Sequence, residues 1–210
     1  MKISAVTAHV FGVPSKRTAR DVPWVWGRLT QVFVEVQTDD GLVGIGESFA
    51  YGVPHAVAAV VNHSLRPLLV GEDPRQIAAL TLRMQQKTHL WGRYGVTTFG
   101  ISGVEMALWD LAGKRAGKPL AELLGGAASP QVPAYASLVR YPEQHRQIQD
   151  DAERAMGEGY PMLKVHQVTA ESVGMARAAI GPQVPLTVDI NCEWSPFHAI
   201  EMADAMNEYN

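Results

Sequence analysis

From residue 132 onward, the sequence alternates short apolar runs with segments of helical composition. The runs are VPAYASL (132–138), PMLKVHQ (161–167) and PLTVDIN (185–191), and each is followed by a segment with helical periodicity. Repeated strand–helix units of this size predict βα units around a parallel sheet, which is either open or closed into a barrel. This part of the chain is therefore predicted to be α/β.

The first part of the chain has a different pattern. Alternating apolar residues predict strands over 3–13, 30–38 and 42–50, and the DDG turn at 39–41 predicts a hairpin between the last two. Longer periodic segments predict the helices that follow, over 53–69, 72–89, 101–117 and 119–126, with Asp73 as an N-cap of the second. The segment GGAASPQ then resembles a junction, so we expect domains at 1–126 and 127–210.

Composition and charge narrow the classes of partner. The net charge is −3 and no basic run occurs, so no nucleic-acid partner is expected. No apolar stretch reaches the ~18 residues that a membrane span requires, and no membrane partner is expected. Cys192 is the only cysteine, which rules out an intrachain disulfide and fits a reducing cytoplasm. A soluble cytoplasmic protein is the expectation.

Two neighbouring predicted strands end in pairs of polar residues spaced by two. Lys164 and His166 end one strand, and Asp189 and Asn191 end the next. Side chains alternate along a strand, so the members of each pair point to the same side, and in parallel βα folds reactive groups gather at these strand ends. A carboxylate there could bind Mg²⁺, and a lysine near other cations can act as a base. Polar strand ends often only face solvent, however, and the spacing taken alone favours that interpretation.

Longer motifs resemble a known family. The segment GISGVEMALWDLAGKRAGKPLAELLGG (100–126) closely resembles the end of the capping domain in the mandelate racemase/muconate lactonizing enzyme family of the enolase superfamily. The hairpin TDDGLVGIGES resembles the start of that domain, LKVH resembles the family's Lys-x-Lys motif, and VDINCEW is similar to its Asp-x-Asn motif. The resemblance implies an α+β capping domain followed by a (β/α)₈ TIM-type barrel, of which about the first three βα units are present.

The resemblance also implies roles for the strand-end residues. Family members abstract the proton next to a carboxylate, and a bound Mg²⁺ stabilises the resulting enediolate. Asp189 would be the first of three metal carboxylates, with Asn191 beside it as a hydrogen-bonding neighbour. Lys164 matches the lysine that helps to neutralise the substrate carboxylate. His166 takes the place of the second lysine, the usual base.

Other implied roles are less direct. An imidazole is shorter than a lysine side chain, so His166 could serve as base, acid or substrate ligand. Ser137, at the end of the first barrel strand, either contacts substrate or is an ordinary surface hydroxyl. Trp24, Trp26 and Tyr51 lie in segments that resemble the family's specificity loops, although ordinary packing is the alternative for aromatic side chains.

The implied activity is Mg²⁺-dependent abstraction of the proton α to a carboxylate. The expected substrate is a small hydroxy-acid or acid sugar, and the expected outcome is dehydration or racemisation by a homo-oligomer. Cycloisomerase or dipeptide epimerase activity is the alternative within the family, and a non-catalytic truncated remnant is the alternative outside it. A complete barrel has eight strands. The 210-residue chain alone is therefore expected to bind Mg²⁺ weakly and to catalyse nothing.

Overall fold

The computed structural model describes residues 1–14, 28–126, 129, 131–139 and 145–209. The chain divides into two compact units, Met1–Ala128 and Ser129–Asn210. The sequence analysis placed a boundary between two domains after residue 126, and that boundary stays a prediction.

The first unit begins with a three-stranded antiparallel sheet. Its strands are β1 (Ile3–Pro14), β2 (Arg28–Thr38) and β3 (Val43–Ser48), in the spatial order β1-β2-β3. Alternate side chains of β2 are fully buried, because one face of the sheet packs on the helices that follow. This arrangement confirms the predicted antiparallel meander.

Helices make up the rest of this unit. They are α1 (Pro54–Ala59), a π-helical turn (Val60–Leu65), α2 (Arg66–Leu69), α3 (Ile77–Thr88), α4 (Val96–Ala116) and α5 (Leu120–Leu123). The prediction that Asp73 caps the second helix was wrong, because α3 begins at Ile77 after Gln76. The Asp73 carboxylate instead accepts hydrogen bonds from the backbone and side chain of Arg75. Among the described residues, no helix is both long enough and apolar enough to cross a membrane.

Helix α4 lies unusually close to strand β3. A Cβ atom at Gly44 would stand 2.1 Å from the Ala107 carbonyl oxygen, and one at Gly46 would stand 2.1 Å from the Gly103 carbonyl oxygen. Only residues without side chains fit at this distance. Gly44 and Gly46 therefore serve helix–strand packing.

Helix side chains bond to both edge strands of this sheet. Asn62, in the π-helical turn, accepts a hydrogen bond from the Ala8 amide (2.8 Å) and donates one to the Ala8 carbonyl (3.3 Å). On the opposite edge, Asp110 accepts from the Ile45 amide at 2.8 Å. These bonds satisfy backbone groups that an edge strand would otherwise leave exposed to other chains.

The second unit is built from βα units. Its elements are β4 (Ala136–Ser137), α6 (His145–Gly157), β5 (Leu163–Val165), α7 (Ala170–Ile180), β6 (Leu186–Val188), α8 (Pro196–Met206) and a 3₁₀ turn (Asn207–Tyr209). The three strands are parallel, in the order β4-β5-β6, which confirms the predicted parallel sheet. Ser195 caps α8 by accepting a hydrogen bond from the His198 backbone amide.

Candidate active site

The carboxyl ends of β5 and β6 bring the predicted residues together. Val165 pairs with Val188 in register, and the Asp189 amide donates to the Val165 carbonyl at 3.0 Å. Lys164 and His166 therefore lie beside Asp189 on the neighbouring strand end. This is the edge of a parallel βα sheet at which functional groups collect.

Lys164 forms an ion pair with Asp189. The Lys164 Nζ atom lies 3.0 Å from Asp189 Oδ2, and the lysine side chain is 21 % exposed whereas that of the aspartate is 43 % exposed. The same ammonium stands 5.9 Å from the ring centroid of Tyr135, within the range of a cation–π interaction. Sequence reasoning did not select Tyr135. Its position two residues before Ser137, on the same side of the strand, was the available signal.

His166 is more enclosed than Asp189, with a side chain only 16 % exposed. Its Nδ1 atom makes a short hydrogen bond with the Leu138 carbonyl oxygen at the end of β4. Its Nε2 atom lies 3.7 Å from Asp189 Oδ2. The imidazole and the ammonium of Lys164 thus approach the same carboxylate oxygen.

The Asp189 carboxylate is held by the turn that follows it. Its Oδ1 atom accepts a hydrogen bond from the backbone amide of Asn191 at 3.0 Å. Asn191 (φ 49°) and Cys192 (φ 62°) both adopt the left-handed region, which asparagine tolerates better than most residues. The Asn191 amide, followed by the Lys164 ammonium, holds the pKa of the Asp189 carboxyl below its ordinary value.

Four further residues were predicted to contact substrate. Ser137 is exposed and pairs in register with Lys164. Tyr51 belongs to the first unit, where it is 55 % exposed and its ring centroid is 5.3 Å from that of Phe49. Trp24 and Trp26 lie outside the described residues. A role in substrate binding stays a prediction for all four.

The family can be assigned from sequence comparison. Residues 15–125 match the profile of the mandelate racemase/muconate lactonizing enzyme N-terminal domain, and residues 147–210 match an enolase C-terminal domain-like profile. The first match alone covers more than half of the 210 residues. The chain belongs to the mandelate racemase/muconate lactonizing enzyme family.

Individual members of this family are similar over most of the chain. The arabinonate dehydratase of Saccharolobus solfataricus is 36 % identical over 179 residues, which are 81 % of this chain and 48 % of the relative. The 3,6-anhydro-α-L-galactonate cycloisomerase of Streptomyces coelicolor is 34 % identical over 188 residues, 85 % of this chain and 51 % of the relative. The chain thus spans about half the length of these curated relatives.

A solved structure of this superfamily shares the fold. The crystal structure of a racemase from Streptomyces coelicolor A3(2) with bound magnesium superposes with a TM-score of 0.87 at 30 % identity. The similarity covers 99 % of this chain and 60 % of that one. The enolase-superfamily fold predicted from the sequence motifs is therefore confirmed.

Magnesium is the ion that the family resemblance implies. Asp189 offers the carboxylate oxygens that Mg²⁺ prefers, on a half-exposed side chain. Within the described ranges, no cluster of three or more His, Cys, Asp or Glu side chains could hold a metal. Mg²⁺ is commonly bound by one or two carboxylates together with water and substrate oxygens. The Asp189 carboxylate is therefore chemically suited to be one protein ligand of Mg²⁺.

Proposed function

We propose that the protein abstracts the proton α to the carboxylate of an acid sugar, in a reaction that requires Mg²⁺ and ends in dehydration. The observation that carries this proposal is the convergence of Lys164 Nζ (3.0 Å) and His166 Nε2 (3.7 Å) on one oxygen of Asp189. The similarity to an arabinonate dehydratase supports the same substrate class. Racemisation of the same carbon is the alternative outcome of the same first step.

The three side chains have complementary chemistry. The proton next to a carboxylate is a weak acid, because its removal places a second negative charge on the substrate. In this proposal Lys164 contributes positive charge beside the substrate carboxylate, and His166 takes the α-proton on a ring nitrogen. A bound Mg²⁺, with Asp189 as one ligand, would supply further positive charge at the substrate oxygens. Asn191 serves this arrangement through its backbone, because its amide orients Asp189.

The bond changes of a dehydration balance without a further reactant. The α-proton leaves C2 to His166, hydroxide leaves C3, and the two depart as water. The resulting enol becomes a 2-keto-3-deoxy acid when its C2 hydroxyl loses a proton and C3 gains one. A histidine is suited to this sequence, because one imidazole can accept the first proton and return a proton to the leaving hydroxyl.

Cycloisomerisation is a second candidate, and one observation favours it. The cycloisomerase of Streptomyces coelicolor is 34 % identical over 85 % of this chain, close to the values for the dehydratase. Both reactions begin with charge development next to a carboxylate, so the residues at the strand ends do not distinguish them. They differ in the mass of their products, because dehydration releases water from the acid, whereas cycloisomerisation leaves the mass unchanged.

The test is a product assay on the protein as its own cells make it, with its intact mass recorded. Pentonates, hexonates and hexarates are incubated with the protein and Mg²⁺, and the products are identified by NMR and mass spectrometry. We expect a 2-keto-3-deoxy acid that does not form after chelation of the metal. Formation of an isomer of unchanged mass contradicts dehydration and supports racemisation or cycloisomerisation. Failure of every acid sugar to react, with Mg²⁺ bound, contradicts the proposal and favours a non-catalytic protein.

We also propose that the protein acts in the cytoplasm as a homo-oligomer. An exposed Cys192, the chain's single cysteine, is compatible with a reducing compartment. Exposed apolar side chains on the sheet of the first unit, Phe11, Val13 and Ile45, are each at least half exposed and would be covered in an assembly. Light scattering after size exclusion should give a multiple of the chain mass. A monomer across the micromolar range would contradict the oligomer.

A further inference from the structure

The ring of His166 has one hydrogen-bonding partner that decides its protonation pattern. Nδ1 bonds to the backbone carbonyl of Leu138, and a carbonyl can only accept a hydrogen bond. The hydrogen must therefore lie on Nδ1. Nε2 is 3.7 Å from Asp189 Oδ2, which is too long for a hydrogen bond that would compete for the proton.

We propose that the Leu138 carbonyl holds His166 as the Nδ1–H tautomer, so that Nε2 is the nitrogen that exchanges a proton with the substrate. Proton exchange between Nε2 and a substrate rests on the proposed function, but the tautomer itself does not depend on any activity. The opposite tautomer would point a nitrogen lone pair at the carbonyl oxygen, which is repulsive. A 180° flip of the His166 ring would replace Nδ1 by a carbon atom and break its hydrogen bond to the Leu138 carbonyl.

The carbonyl is itself fixed in place. The Leu138 amide donates to the Lys164 carbonyl at 2.8 Å, and the Leu138 side chain is buried. The next residue of the chain, Val139, accepts a hydrogen bond from Gln167 Nε2 at 3.5 Å. Gln167 is only 3 % exposed, although a glutamine is seldom so buried.

His166 and Gln167 therefore continue the hydrogen bonding between β5 and β4 past the last backbone pair. Two consecutive side chains donate to two consecutive carbonyls, those of Leu138 and Val139. This arrangement ties the end of β4 to the residue that carries the imidazole. Gln167 is thus a positioning residue, which acts on His166 through the strand end that both side chains contact.

Two-bond ¹H–¹⁵N NMR spectra of the full chain test the tautomer directly. The spectra are recorded without substrate or metal at about pH 8.5, where imidazoles of ordinary pKa are neutral. His166→Gln identifies the His166 signals by their loss. His89 is an internal reference for a histidine whose Nδ1 faces a backbone carbonyl on the exposed surface, because its Nδ1 lies 2.8 Å from the Gln86 carbonyl oxygen.

The expected spectrum shows His166 as a single Nδ1–H tautomer. An Nε2–H pattern, a mixture of tautomers or an imidazolium pattern would overturn the assignment. An Nδ1–H pattern in a protein that reacts with no acid sugar would overturn the proposed function and leave the tautomer standing. The two claims can therefore fail separately.

Gln167→Met tests the positioning role at nearly constant volume. We expect this variant to keep its far-UV circular dichroism and to lose the single-tautomer pattern of His166. Gln149→Met is the matched control, because Gln149 lies on α6 and its Nε2 atom contacts Met175 Sδ of α7, and it should leave the pattern unchanged. An unchanged His166 pattern in a folded Gln167→Met protein would overturn the role of Gln167.

Discussion

The contact between α4 and β3 gives a prediction of stability that can be worked out from distances. In Gly46→Ala, the new Cβ would lie 2.1 Å from the Gly103 carbonyl oxygen and 2.6 Å from the Ala107 amide nitrogen. Both are backbone atoms of the longest described helix, so no flexible side chain can move aside. The helix, the strand or both must shift.

The size of that shift sets the expected cost. Real Cβ atoms do not approach other atoms closer than 3.0 Å, so the oxygen and the Cβ must separate by at least 0.9 Å. A gap of about 0.5–1 Å forfeits a quarter to a half of the dispersion attraction between the surfaces that part. Val104, Leu108 and Leu111 of α4 are fully or almost fully buried against the same sheet and would lose contacts together. Overpacking of a core costs about 1–3 kcal/mol, and we expect the upper end, about 3 kcal/mol.

Urea unfolding followed by tryptophan fluorescence measures this cost. Four of the five tryptophans lie in residues 1–128, so the signal reports mainly on the first unit. Gly157→Ala is the control, because a Cβ there meets no atom within 4 Å. Residue 157 ends α6 in the second unit, so the unfolding of this variant is followed by far-UV circular dichroism. The control should be neutral or slightly stabilising. A Gly46→Ala protein whose free energy of unfolding stays within about 0.5 kcal/mol of the parent would refute the close-packing argument.

Three further predictions follow from single contacts. Asn62→Ala removes two hydrogen bonds to an edge strand and should lower the free energy of unfolding by about 1–3 kcal/mol; an unchanged urea midpoint would contradict this. Ser195→Ala removes the cap of α8 and should cost about 1 kcal/mol in the unfolding of the second unit, whereas Ser195→Asp should not. The pKa of Asp189 is lowered in the folded state by Asn191 and Lys164, so its contribution to stability is present above pH 4 or so and is lost as the pH falls through the folded pKa. Asp189→Asn should therefore be less stable than the parent at pH 7, and the difference should shrink as the pH falls below about 4. A difference that does not shrink in denaturant titrations at low pH would oppose this.

Much of the site arrangement was predictable because it depends on simple periodicity. Side chains alternate along a strand, and parallel strands end at one edge, so Lys164, His166 and Asp189 were expected to meet. The individual contacts were not predictable. The sequence does not state that a backbone carbonyl of Leu138 receives His166, because that depends on the register of a two-residue strand.

The fold was likewise predictable from the sequence only in part. Alternating valines in β2 and the DDG turn were sufficient to predict the first sheet. The start of α3 was placed too early, because Asp73 and Pro74 resemble a helix start while the Asp73 carboxylate is engaged by Arg75. The π-helical turn at Val60–Leu65 also has no local sequence signal, since the bonds of Asn62 to β1 are contacts across 54 residues.

Removal of the substrate α-proton by the strand-end cluster can be measured directly in D₂O. The protein is incubated in D₂O with Mg²⁺ and an acid sugar that it binds, and the α-proton signal is followed by NMR. We expect metal-dependent loss of that signal, slowed by about 10²-fold or more in His166→Asn. Loss of the α-proton signal at the parental rate in His166→Asn, or no loss of it by protein with both metal and acid sugar bound, would contradict α-proton removal by this cluster.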